Sequence, residues 1–111
     1  MAWPLEQPSL WERRTLLTHQ GRFEEWLSSE DGREVEFQIV RRAKLLQARG
    51  WRRYGMKALW ESIRYDRAVD IGPDADGWKL NNDFTSRMAR HVMRRHPELA
   101  GFFETREIRS A

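Results

Sequence analysis

The chain contains no cysteine. No disulfide, zinc–thiolate site or catalytic thiol is therefore open to it, which fits a reducing cytoplasm. No apolar run approaches the roughly 20 residues that cross a bilayer. The opening MAWPLEQPSLWERR lacks a basic start followed by an apolar stretch, so it does not read as a secretory signal. There is no glycine-rich phosphate loop, no nucleophile elbow and no carboxylate cluster with obvious metal geometry. His19, His91 and His96 do not have metal-ligand spacing. Asp74 and Asp76 lie in a DxDG fragment too short for a calcium loop, and the later glutamate is missing. Together these absences argue against an enzyme and against a bound cofactor. Lysine is also scarce, because arginine supplies 17 of the 20 basic residues. A GC-rich genome accounts for that total, but not for arginines gathered on one helix face.

The 111 residues suffice for one domain. Hydrophobic content is 40% and charged content 33%. Six Trp and five Phe compensate, since each large ring buries much area. The net charge is +3. Residues 1–50 hold eight basic and eight acidic side chains, and residues 51–111 hold twelve and nine, so the second half carries the excess.

Two prolines in residues 1–8 suggest a loose arm. Ser9 and Glu12 have capping-box spacing and open a first helix. Leu16, Phe23 and Leu27 recur on one face, so that helix runs through Gly21 to about Ser28 or breaks there. Asp31 and Glu34 repeat the capping spacing. Val35, Ile39, Ala43 and Leu46 then form a helical stripe, and Gly50 is placed to stop it. Residues 35–40 also alternate as a strand does, but the continuation RRAKLLQAR favours helix. Met56, Leu59, Trp60 and Ile63 mark a third helix that ends near residues 65–68. The turn-rich GPDADG that follows lies between two short apolar runs, which predicts a β-hairpin of 69–71 against 78–80. Asn81, Asn82 or Asp83 caps a fourth helix, which ends before Pro97. Pro97 opens a short last helix over PELAGFF. The expected fold is mainly α: a single helical domain over 9–106, of four to five helices with one β-hairpin before the arginine-rich helix. An N-terminal arm (1–8) and a tail (107–111) flank it.

Residues 84–96 hold four arginines, two histidines and no acid. At about 100° per residue, Phe84, Met88, Ala89, Val92 and Met93 share half of the helix circumference. Arg87, Arg90, His91 and Arg94 take the other half, with Arg95 near the edge of the apolar arc. Charged helix faces are usually only solvated, but those mix signs. An acid-free stripe suggests an external anion or neutralisation by acids elsewhere in the fold, such as Asp66, Asp70 or Glu104. If the partner is DNA, Arg87, Arg90 and Arg94 face the major groove. Asn81 and Asn82 at the helix N-terminus could hold a phosphate, although capping is their commoner role. Lys79, Arg52 and Arg53 could touch the backbone, or be ordinary surface charge. A standard helix-turn-helix joins its helices by three or four residues. About a dozen residues separate the third and fourth helices here, so a DNA reader of this kind is a variant with an insertion.

The run GWRRYGMKALWESIRYDRAV, followed by DGWKLNNDFTSRMARHVMRRHPELAGFFETREIRS, resembles a group of small, largely uncharacterised phage and prophage proteins. The "KLNN…AR…PELAGFFETR" string carries the resemblance, which spans more than half of the chain. It implies an accessory protein in a bacterial cytoplasm and transfers no functional residue. Two expectations result. One is a DNA-binding protein whose affinity depends on salt. The other is an interaction module that binds a host protein with an acidic surface, using exposed Trp and Arg as anchors. No membrane partner is expected, and a homodimer fits either role.

Overall fold

The computed structural model describes residues 18–73 and 80–105. The N-terminal arm, the Ser9 cap, Lys79 and the tail lie outside the described residues. Among the described residues the fold has four α-helices: α1 (His19–Ser28), α2 (Glu30–Ala48), α3 (Met56–Ile71) and α4 (Thr85–Arg95). Single 3₁₀ turns precede and follow α4, at Asn82–Phe84 and Pro97–Leu99.

Helix α1 starts where Thr18 Oγ1 accepts the Gly21 amide at 2.8 Å. One residue, Ser29, then separates α1 from α2. Its extended backbone ends the first helix, with its amide on the Trp26 carbonyl, and its hydroxyl accepts the Gly32 amide at 3.1 Å to begin the second. The sequence placed this cap at Asp31. Asp31 instead lies in the first turn with Glu30, where both carboxylates favour the positive helix end. Gly32 is buried where α2 crosses the last turn of α1, and a Cβ there would lie 2.0 Å from the Trp26 carbonyl oxygen.

Gly50, with φ of 100°, stops α2 as expected. The Gly50 amide bonds the Gln47 carbonyl and the Trp51 amide bonds the Leu46 carbonyl, the paired pattern of a Schellman end. Helix α3 runs past residue 68 to Ile71, where Gly72 at φ 83° turns the chain into Pro73. Residues 69–71 are therefore the last turn of a helix and not a hairpin strand, and no strand occurs among the described residues. Extending an existing helix orders one residue per hydrogen bond gained. These three residues have no partner strand among the described residues, and Val69 and Ile71 remain exposed.

Asn81 Oδ1 accepts the Asp83 amide and starts the turn into α4. His96, extended before Pro97, ends the helix. The expected last helix over PELAGFF is one 3₁₀ turn, after which Gly101 (φ 75°) redirects the chain. Phe102 and Phe103 then enter the core edge to face, 5.1 Å apart. The Phe102 carbonyl accepts the Tyr54 amide, which fastens this segment to the α2–α3 connection.

The stripes read from sequence are the core. Val35, Ile39, Ala43, Met56, Leu59, Trp60, Ile63, Met88, Ala89 and Val92 are all buried, joined by Phe23, Leu80, Phe84 and Leu99. Of the tryptophans, Trp60 is wholly buried, Trp26 packs against the core and Trp51 is exposed; Trp3, Trp11 and Trp78 lie outside the described residues. No polar or charged residue is fully buried among those described.

Candidate nucleic-acid interface

The arginine-bearing half of α4 does not stand clear of the fold. Arg87 donates to Gln20 Oε1 of α1 at 2.7 Å. His91 turns inward, its Nε2 3.0 Å from Glu36 Oε1 of α2 and its ring edge to face with Phe23. His96 reaches the same carboxylate, Nε2 to Oε2 at 3.4 Å, and Arg95 Nε stands 3.7 Å from that oxygen. Glu36 thus neutralises part of the stripe, where the sequence had suggested acids such as Asp66. Asp66 pairs with Arg42 instead. Among the described residues, no group of three or more His, Cys, Asp or Glu side chains is placed to hold a metal ion.

The remaining cations are at the edges. Arg90 is half-buried. Arg94 is exposed and makes no ion pair among the described residues. Arg95 keeps 67% of its side chain exposed despite its neighbour Glu36. Both end the helix, where cations also stabilise the negative end of the macrodipole by about 0.3–1 kcal/mol. Beside this end, Lys44 pairs with Glu98 at 3.0 Å. The Glu98 carboxyl is held below its ordinary value, first by a hydrogen bond from its own backbone amide and then by Lys44.

At the other end of α4, an open cleft of about 320 Å³ lies against α1. His19, Arg22, Asn81, Asp83, Phe84 and Arg87 line it, three basic side chains against one acid. Asn81 is occupied as a cap. Asn82 Oδ1 accepts from Arg64 at 2.6 Å, and the same guanidinium also bonds the Leu80 carbonyl and Glu61. Both asparagines therefore serve the turn. Arg52 and Arg53 are exposed and follow the end of α2, where Gln47 donates to the Glu98 carbonyl just beyond α4. The structure thus brings Arg87, His91 and Arg95 against α1 and α2 and leaves Arg94, Arg52 and Arg53 exposed.

Sequence reasoning missed Glu36 and Arg64. Glu36 had a signal: on the α2 wheel it borders Ile39 and Ala43, and a carboxylate at the edge of an apolar stripe needs a partner. Arg64 had none, since its partners come from a distant segment. No family model, no curated protein and no solved structure matches the chain.

Proposed function

We propose that the protein binds nucleic-acid phosphates through the outer edge of α4. The observation that supports this reading is Arg94, exposed and without an internal acid, beside the largely exposed Arg95 on a helix segment that carries no acid of its own. Arg22 and Arg87 at the α1 cleft extend the same basic edge toward the helix start. This differs from a recognition helix lying fully in the major groove. Arg87 and His91 lean on α1 and α2, so phosphate contact is favoured over base reading. A small phage-type DNA-binding accessory protein remains the biological setting we favour.

The test is fluorescence anisotropy against random-sequence duplex DNA at two salt concentrations. Two phosphate contacts weaken binding about 12-fold between 50 and 200 mM salt, and four weaken it about 150-fold. The double variant Arg22→Ala/Arg94→Ala should lose most of the affinity and flatten the salt slope while circular dichroism is unchanged. Binding that persists in that variant with the same slope refutes the assignment.

A second reading, a protein-interaction module, is favoured by a separate observation. Phe37, Leu45, Trp51, Tyr65 and Val69 each expose more than half of their surface.

A further inference from the structure

The outward face of α2 is unusual in its order. At about 100° per residue, Glu30, Glu34, Phe37, Arg41, Leu45 and Ala48 fall on one stripe opposite Val35, Ile39 and Ala43. Five of the six are exposed and Glu34 is half-buried. The spacing of four, three, four, four and three residues is that of a helix-pairing seam. Phe37 is 60% and Leu45 54% exposed. Helix α3 lies alongside, pinned where Arg42 bonds Ser62 and Asp66, and adds Tyr65 and Val69, 69% and 65% exposed. The stripe begins with a net acidic charge, Glu30, Asp31 and Glu34 against Arg33 and Arg67, and it ends basic, since Arg49, Arg52 and Arg53 follow α2 and are all exposed.

We infer that this face pairs with the same face of a second copy, antiparallel, about a twofold axis near Arg41. Such an axis sets Phe37 of one copy against Leu45 of the other, twice. It also brings the acidic end with Glu30 and Glu34 to the basic end with Arg49 and Arg52, again twice. The face is therefore complementary to itself in both shape and charge, as an isologous contact requires. The two Arg41 side chains meet near the axis and lie within reach of the partner's Phe37 ring, a favourable seat for a guanidinium.

The area is adequate for a reversible dimer. Phe37 and Tyr65 together expose roughly 250 Å² of ring surface. Leu45, Val69 and the charged ends bring the patch toward the about 800 Å² per partner of a standard interface. The expected association is in the micromolar range. The face lies away from the α4 edge, so the inference stands whether or not the protein binds nucleic acid.

Sedimentation velocity from about 1 to about 200 μM is the assay, a span that brackets a standard-size but weak contact. The native chain should pass from monomer to dimer. Phe37→Asp and Leu45→Asp should each stay monomeric with unchanged circular dichroism. Charge reversal at one end (Glu30→Arg/Glu34→Arg) or at the other (Arg49→Glu/Arg52→Glu) should weaken self-association at least tenfold, and mixing the two variants should restore a heterodimer. A native chain that stays monomeric throughout overturns the proposal. So does a dimer indifferent to Phe37→Asp, and a mixture that fails to re-form refutes the antiparallel order.

Discussion

Replacing Gly32 by alanine probes the close crossing of α1 and α2. The added Cβ would lie 2.0 Å from the Trp26 carbonyl oxygen, 2.6 Å from the Leu27 Cα and 2.8 Å from the Trp26 carbonyl carbon. All three are backbone atoms of the neighbouring helix, so no side-chain rotation relieves the overlap. Helix α1 must move back by more than about 1 Å to restore ordinary carbon contacts of about 3.5 Å. Overpacking of this kind costs about 1–3 kcal/mol. The same movement pulls at the Ser29 cap, worth about 1 kcal/mol. Against both stands the better helix propensity of alanine, about 1 kcal/mol in its favour. The net expectation is a loss of about 1–3 kcal/mol, with Tm falling by about 4–8 °C for each kcal/mol. Urea unfolding followed by tryptophan fluorescence measures it, and the midpoint should drop with little change in slope. An alanine variant as stable as the native chain, or more so, would refute the close approach of the two helices.

Further outcomes can be checked on the same footing. Trp60 is fully buried, and its ring N–H has no hydrogen-bond partner among the described residues; Trp60→Phe should cost far less than the about 3–5 kcal/mol of Trp60→Ala, because it also removes an orphaned donor. Gly55 caps α3 with an extended backbone, no side-chain bond and open space at its Cβ; Gly55→Ser should stabilise by about 0.5–1 kcal/mol in thermal unfolding. Glu36→Ala should destabilise by about 1–2 kcal/mol, whereas Glu61→Ala, at a more exposed pair, should stay within about 0.5 kcal/mol. Glu98 favours its ionised form in the fold, so its contribution is full above its ordinary value of 4.5 and fades as the pH falls through the lowered one. An NMR titration of Lys44→Ala should recover only part of that shift, since the backbone hydrogen bond is the larger cause.

Much of the fold was legible in sequence because it rests on local rules. The stripes of α2, α3 and α4, the stop at Gly50 and the break before Pro97 follow from helical period and backbone geometry. The failures share a cause. Val69 and Ile71 alternate like a strand, yet whether they pair depends on a partner strand that local sequence does not specify. Ser29, rather than Asp31, became the shared cap because α1 ends one residue before α2 begins, a tertiary fact. At the candidate site the composition of α4 was legible and its surroundings were not. The wheel put His91 on the polar half, but Glu36 and Phe23 drew it inward, and only the packing of three helices decides that.

The placement of Phe102 and Phe103 bears on how the protein is made. Synthesis delivers α1 to α4 before these two rings, which are separated by more than 40 residues from Tyr54, their anchor on the α2–α3 connection. Until they emerge, the bundle has α1 to α4 and an open apolar seat, the kind of surface on which partly folded chains aggregate. A chain stopped at Gly101 would therefore retain α1 to α4 and lack their closure. Helix content is a poor measure of completion for this fold, and burial at Phe102 is a good one.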